Sequence, residues 1–306
     1  MRTRWSLITE SAPWPPRDSP GATVLQGRMW LLGGFQLAES GGFRRLNDVW
    51  SSPDGIDWAQ VVGDAPWPAR NLAGCVTFND RIWLLGGFDG RRTFADIWST
   101  DDGRHWDRIA TDAPWGARGA FGCTVFRDRI WVIGGVNLEG EAHYGDVWSS
   151  VDGVEWEQVT NAPGWQPRAM HPALVFDAGL WILGGGTYHD RGLNHSDVWR
   201  SSDGVEWECV PCDAAWKARR FHTSMVHGGR MWVLGGAADG SVNLNDVWCS
   251  ADGIDWTPAD RPVPWGVRHA SACLSFGGRA WLLGGFSGEL AGNIVYNDIW
   301  TMETTG

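Results

Sequence analysis

The chain has 306 residues, 36 acidic against 25 basic, and a formal net charge of −11 at pH 7. That balance argues against nucleic acid as the main partner, since phosphate binding needs a basic surface. No run of about 20 apolar residues predicts a membrane span, and the opening MRTRWSLITE has no apolar signal-peptide core, so a cytoplasmic monomer with reduced thiols is expected.

The first element in chain order is a short strand at Trp5-Ser6-Leu7-Ile8 with no turn signal before it. After it, tryptophan is the ruler. The chain has 24, and all fall on four positions repeated six times. Trp5, Trp58, Trp106, Trp156, Trp207 and Trp256 are each followed nine residues later by Trp14, Trp67, Trp115, Trp165, Trp216 and Trp265. Sixteen residues further on, Trp30, Trp83, Trp131, Trp181, Trp232 and Trp281 each open a W-x-x-G-G segment. The fourth set is Trp50, Trp98, Trp148, Trp199, Trp248 and Trp300.

Each unit therefore holds four predicted strands. Strand a follows an arginine, as in Arg70-Asn71-Leu72-Ala73-Gly74-Cys75-Val76-Thr77-Phe78. Strand b is apolar and ends at the glycine pair, as in Arg81-Ile82-Trp83-Leu84-Leu85. Strand c is the D-V-W segment, and strand d carries the Trp after an Asp-Gly pair, as in Asp48 to Trp58. Asp-Gly suits a tight hairpin, because Gly accepts positive φ and Asp tolerates it. The last copy breaks off at Asp298-Ile299-Trp300, and Trp5 to Ile8 is the half it lacks. Short β-rich runs with turns at regular spacing predict an all-β chain, and four strands per period of about 50 residues predict a propeller blade.

The glycine pairs after an apolar strand, the Trp on strand d and the Arg before strand a resemble kelch repeats, in six copies over essentially the whole chain. The competing pattern of sialidase-like propellers, S-x-D-x-G-x-x-W, is met in full only by Ser99-Asp101-Gly103-Trp106. The resemblance implies a six-bladed β-propeller of four-stranded blades filling residues 1–306 as one domain. It also implies that strand a lines the channel, strand d is outermost, and the N-terminal strand closes the ring.

All length variation lies between the glycine pair and the strand-c Asp, where the separations are 14, 9, 11, 12, 10 and 13 residues. Variable loops on a rigid scaffold are where binding and catalysis concentrate, so the b–c face at the channel mouth is the expected site. Arg17, Arg70, Arg118, Arg168, Arg219 and Arg268 form a ring on this face. Guanidinium groups suit carboxylate or phosphate ligands, and in some kelch proteins arginines here hold acidic peptides. The structural alternative is one ion pair per blade with Asp48, Asp96, Asp146, Asp197, Asp246 and Asp298, because strict repetition favours a scaffold role. A second set, Arg28, Arg81, Arg129, Arg230 and Arg279, is expected near Asp54, Asp102, Asp152, Asp203 and Asp252 at the other end.

Departures from the repeat carry more information. One residue after the ring arginines stand Asp18, Asn71, Gly119, Ala169, Arg220 and His269, and three after stand Pro20, Ala73, Phe121, His171, His222 and Ser271. The loops add Glu39, Arg44, Arg45, Arg91, Arg92, His143, Tyr144, Tyr188, His189, Asp190, Arg191, His195, Glu289 and Tyr296. His171, His222 and His269, with Tyr188, His189 and Asp190 above them, are the candidate catalytic set, since imidazoles beside a carboxylate suit acid–base work near neutrality. Arg220, the ring arginines, Asp18, Asn71, Phe121 and Tyr144 are candidate ligand contacts. No metal or cofactor is expected. Cys75, Cys123 and Cys273 share one small-residue position in strand a, and Cys209 with Cys212 is a lone C-x-x-C. Two functions are compatible with this face. One is a small polar or anionic molecule at the mouth, acted on without a cofactor by isomerisation, cyclisation or elimination. The other is an acidic peptide held by the arginines. A deep mouth with converging polar groups would favour the first.

Overall fold

The computed structural model describes residues 2–37, 42–188, 193–211, 216–259, 262–288 and 292–305. Among these, six four-stranded antiparallel sheets each run in the order a-b-c-d. In blade 1 they are Gly21–Leu25, Arg28–Leu37, Phe43–Ser52 and Ala59–Val62. Blade 2 begins with Gly74–Phe78 and blade 3 with Gly122–Phe126. Blades 4, 5 and 6 begin with Ala173–Phe176, Thr223–His227 and Ala272–Phe276. The outermost strand of blade 6 is Arg2–Thr9, paired with Ile294–Thr305 so that Trp5 faces Met302 and Leu7 faces Trp300. The chain is thus an all-β six-bladed propeller fastened by its own N-terminal strand, which covers an edge that would otherwise be open to other chains.

Each tryptophan set has one task. The strand-b indole donates Nε1–H to the carbonyl at the end of strand a, as Trp30 does to Leu25 at 3.2 Å. The strand-c indole donates to the Asp two residues before it, as Trp50 does to Asp48 at 2.7 Å. The strand-d indole closes the Asp-Gly turn, as Trp58 does on Gly55 at 3.1 Å. The set of Trp14 and its equivalents wedges between blades and meets a strand-d indole edge to face, as Trp67 meets Trp106 at 5.8 Å. Such pairs add to simple burial.

The Asp-Gly connection is longer than a tight hairpin. Strand c ends at Ser52 and strand d starts at Ala59, with Trp58 just before it. Ser52 Oγ accepts the Gly55 N–H at 2.7 Å, and Asp54 accepts those of Ile56 and Asp57 at 2.8 Å. This Asx-type cap uses Asp54 locally, so the second arginine set pairs elsewhere. Arg28 donates to Ser51 Oγ, Arg81 bonds Asp107, Arg129 bonds Glu157, and Arg279 bonds Glu303. Gly55 also makes room, since a Cβ there would overlap the indole of Trp281 from the preceding blade.

The six ring arginines join neighbouring blades. Each reaches its own strand-c Asp in a two-pronged pair, with Arg70 at 2.6 and 2.9 Å from Asp96. Nη1 also donates to a glycine-pair carbonyl, Gly86 at 2.8 Å. Its peptide meanwhile serves the blade before, where the Arg70 N–H donates to Leu46 and its carbonyl accepts from Gly34 N–H. Gly34 has φ +110°, and a Cβ there would come within 2.8 Å of the Asp18 carbonyl. The same pattern repeats around the ring and closes with Arg17 against Tyr296 and Gly285. Fork geometry is what lets arginine hold a carboxylate and a carbonyl together.

A belt of backbone hydrogen bonds encircles the channel just inside this ring. Ser19 donates to Ala270, Leu72 to Ser19, Ala120 to Leu72, Met170 to Ala120, Phe221 to Met170 and Ala270 to Phe221, at 2.7 to 3.3 Å. All six residues hold φ between +45° and +60°, a region that non-glycine residues enter only when their surroundings enforce it. Below it lies a cavity of about 280 Å³ lined by the first residues of strand a from every blade. No helix among the described residues is long and apolar enough to cross a membrane.

Candidate functional site

The residue after each ring arginine forms a two-way backbone bridge with the residue after the glycine pair of its own blade. The bridges are Asp18 with Phe35, Asn71 with Phe88, Gly119 with Val136, Ala169 with Gly186, Arg220 with Ala237, and His269 with Phe286. This regular frame presents irregular side chains at the mouth, on the face where the b–c loops vary.

Asp18 is buried there at 6 % exposure. Burial pushes its carboxyl up to about 7, against the lowering effects of Ser19 and the Arg45 charge. Desolvation favours the neutral acid, and a group so displaced marks a functional candidate. Arg45 comes from strand c of blade 1. Its guanidinium lies 4.7 Å from the Phe35 ring centre and 5.4 Å from that of Phe88. Its Nε is buried with no acceptor, and among the described residues no carboxylate is within ion-pair distance of it. Burial lowers its pKa, and Tyr188, Asp18 and Asp89 oppose that. Tyr188 belongs to blade 4, yet the charges of Arg45, Asp18 and Arg220 all act on its hydroxyl, whose pKa burial raises. Groups from opposite sides of the channel therefore converge over the mouth.

Arg220 is 6 % exposed and donates to the Thr187 carbonyl at 2.5 Å. His269 lies between Phe221 and Phe286 at 5.3 and 5.2 Å and contacts Asn243 Oδ1 through Nδ1 at 2.5 Å. Burial and then the Arg220 charge push it down to about 4. Asn71 is buried, and its Oδ1 has no partner.

Of the predicted candidates, the structure brings Asp18, Asn71, Tyr188, Arg220 and His269 together at the mouth. His189 and Asp190 lie outside the described residues, as do Glu39, Arg191, Cys212 and Glu289. His171 and His222 line the channel cavity but turn into the blade interfaces, where they pack on Trp165 and Trp216 at 6.4 and 6.0 Å. Burial, then Arg168 or Arg219, pushes both down to about 3. The expectation that these imidazoles titrate near neutrality is thus not met, because desolvation disfavours imidazolium. Phe121 is 7 % exposed and packs on Trp115 at 6.0 Å. Tyr144 covers the Arg118 guanidinium at 3.9 Å, as Phe94 covers Arg70 and Tyr296 covers Arg268. Arg17, Arg70, Arg118, Arg168, Arg219 and Arg268 are at most 2 % exposed and bonded to their aspartates.

The channel thiols are inert. Burial raises Cys75 to about 12, Cys273 to about 11, and Cys123 likewise upward. Among the described residues no cluster of three or more His, Cys, Asp or Glu could hold a metal. Sequence reasoning counted Arg45 among the loop arginines that could hold an acidic peptide, but not among the residues of a small-molecule site. The signal for Arg45 was the pair of phenylalanines that follow the glycine pairs of blades 1 and 2.

The sequence pattern of the KLHDC2/KLHL20/DRC7 Kelch-repeats domain matches residues 120–306. No curated protein matches the chain.

Proposed function

The chain belongs to the family of KLHDC2/KLHL20/DRC7 kelch-repeat domains, and on that scaffold we propose that it binds a small anionic molecule at the mouth of the channel on the b–c face. The observation that carries this reading is the contrast among its arginines. Each of the six ring guanidiniums is held by its own aspartate, whereas the Arg45 guanidinium lies 4.7 and 5.4 Å from the Phe35 and Phe88 ring centres and, among the described residues, no carboxylate is within ion-pair distance of it. A half-buried cation with no carboxylate in ion-pair reach among the described residues lacks the close pairing that buried charge requires, and a ligand anion supplies it. The convergence of Asp18, Tyr188 and Arg220 from across the channel favours a small enclosed ligand over a long peptide on a shallow bowl.

Any proton transfer here falls to Asp18. Its carboxyl is poised at about 7, while His269 is held near 4 and remains a neutral hydrogen-bonding group at that pH. Acid–base chemistry at neutral pH needs a group with a matching pKa. The test is equilibrium dialysis of a defined set of small anions against the wild type, Arg45→Gln and Asp18→Asn. Arg45→Gln should weaken binding at least tenfold, about 1.4 kcal/mol, with an unchanged melting temperature. Binding should strengthen as pH falls through about 7 and Asp18 loses its charge, and Asp18→Asn should flatten that dependence. Equal binding by Arg45→Gln, or a ligand located on the Asp-Gly face, overturns the assignment.

A further inference from the structure

The positions after the glycine pairs are occupied by Phe35, Phe88, Val136, Gly186, Ala237 and Phe286. All six make the same backbone bridge, so the scaffold has no need of an aromatic there, and glycine or alanine serves in blades 4 and 5. The three phenylalanines fall on three consecutive blades, 6, 1 and 2. Each is only half-buried, although burying a phenyl ring fully is what a core position would reward. They form an arc around the polar groups of the site. The Arg45 guanidinium lies 4.7 Å from the Phe35 ring centre and 5.4 Å from that of Phe88, and Phe286 holds His269 edge to face at 5.2 Å. Phe43 stacks on Phe35 at 4.6 Å and 21°, and extends the arc outward with 48 % of its surface exposed.

Arg45 has two phenyl rings beside it, and its N–H donors point outward in the guanidinium plane. An anionic group that meets those donors in plane has its remaining atoms among the phenylalanines. We propose that the ligand of this mouth is a planar aromatic anion, with its ring against Phe35, Phe88 and Phe286 and its anionic group on the edge of Arg45. This rests on the small-molecule reading above and narrows it to a chemical class. Aromatic pairs in offset or edge contact gain beyond area burial, so a saturated ring of the same size and charge should be the poorer ligand.

Isothermal titration of the full chain with benzoate, 1-naphthoate, indole-3-carboxylate and cyclohexanecarboxylate tests this, with 1-naphthalenemethanol as the uncharged aromatic. At least one aromatic carboxylate should bind about tenfold or more tighter than cyclohexanecarboxylate, the gain expected from two ring contacts, and tighter than the alcohol. Phe88→Leu should reduce that preference about fivefold or more while leaving cyclohexanecarboxylate nearly unaffected. Phe286→Leu provides the same reading from the opposite side of the arc if Phe88→Leu does not fold. Equal affinity for the aromatic and saturated acids, both lost in Arg45→Gln, overturns the aromatic class and leaves the anion site standing. No carboxylate bound, or binding indifferent to Arg45→Gln, overturns the class and the anion site together.

Discussion

The pair between Arg70 and Asp96 is the most buried of the six, with side chains 1 % and 3 % exposed. Arg70 donates to both Asp96 oxygens, to Gly86 and to Pro68, and the Phe94 ring lies 4.1 Å away. Asp96 also accepts the Trp98 indole at 2.8 Å. Arg70→Met strands a buried carboxylate with one indole donor, and Asp96→Leu strands the guanidinium. Each should cost about 3–5 kcal/mol, the usual penalty for leaving half of a buried pair. The double variant carries no stranded charge. It still leaves the Gly86 carbonyl and the Trp98 N–H short of partners, at about 1–3 kcal/mol each. Its loss should therefore be about 4 kcal/mol, well under the sum of roughly 8 from the singles. Urea denaturation followed by indole fluorescence reads all four corners of the cycle. Losses that add within about 0.5 kcal/mol would refute the pairing as the source of stability and return the ring arginines to consideration as ligand contacts.

Deleting residues 1–9 removes Trp5 from its edge contact with Trp265 at 5.7 Å and uncovers strand c of blade 6. Aggregation or a loss of about 3 kcal/mol or more is expected, and a chain melting within a degree or two of the full length would refute the closure. His171 and His222 have folded pKa values of about 3 against 6.5 unfolded. Their contribution is complete above pH 6.5 and declines as pH falls towards 3, because only the unfolded chain takes up those protons. At pH 5 the joint loss is on the order of 4 kcal/mol, and His171→Gln should remove about one proton from the acid slope of stability between pH 6 and 4, about 1.4 kcal/mol per pH unit. Asp18 has the opposite sign. With a folded pKa of about 7 against 3.8, its stability is greatest below 3.8 and is lost as pH rises to 7, about 4 kcal/mol in all. Asp18→Asn should therefore melt higher than the wild type at pH 8 and no higher at pH 4.

The fold was legible because four tryptophans, a glycine pair and an Arg–Asp couple recur with fixed spacing, and a period is visible without any knowledge of contacts. The closure was legible for the same reason, since Trp5 supplies the strand-d position that Trp300 lacks after it. The site was legible only in part. Asp18, Asn71, Arg220 and His269 stood out as departures at a position the repeat does not dictate. Arg45 stood out only as one loop arginine among several, because its neighbours Phe35 and Phe88 come from two blades and no local pattern announces that. His171 and His222 looked like acid–base groups by residue type, but desolvation at a blade interface decides their protonation, and composition cannot report depth. The second arginine set went to serines and to carboxylates on the outer strands because Asp54 and its equivalents are consumed in capping their own turns.

The belt of six backbone hydrogen bonds around the channel has a direction and no first member. Every N–H donates to the preceding blade and every carbonyl accepts from the next, so the bond dipoles circulate and their components in the plane of the ring cancel. The left-handed backbone at those six residues is imposed by the circuit as a whole, and a partial array would leave one donor, one acceptor and the strain of six unfavourable torsions unsupported. The belt thus counts repeats: losing or gaining one blade changes the aperture that all six bonds must share. It is also indifferent to where the polypeptide starts. New termini cut into the Asp-Gly connection of another blade, with the present ends joined, would preserve every bond of the circuit and move the fastening strand to a different blade. A molecule organised in this way can be duplicated or permuted only in whole units.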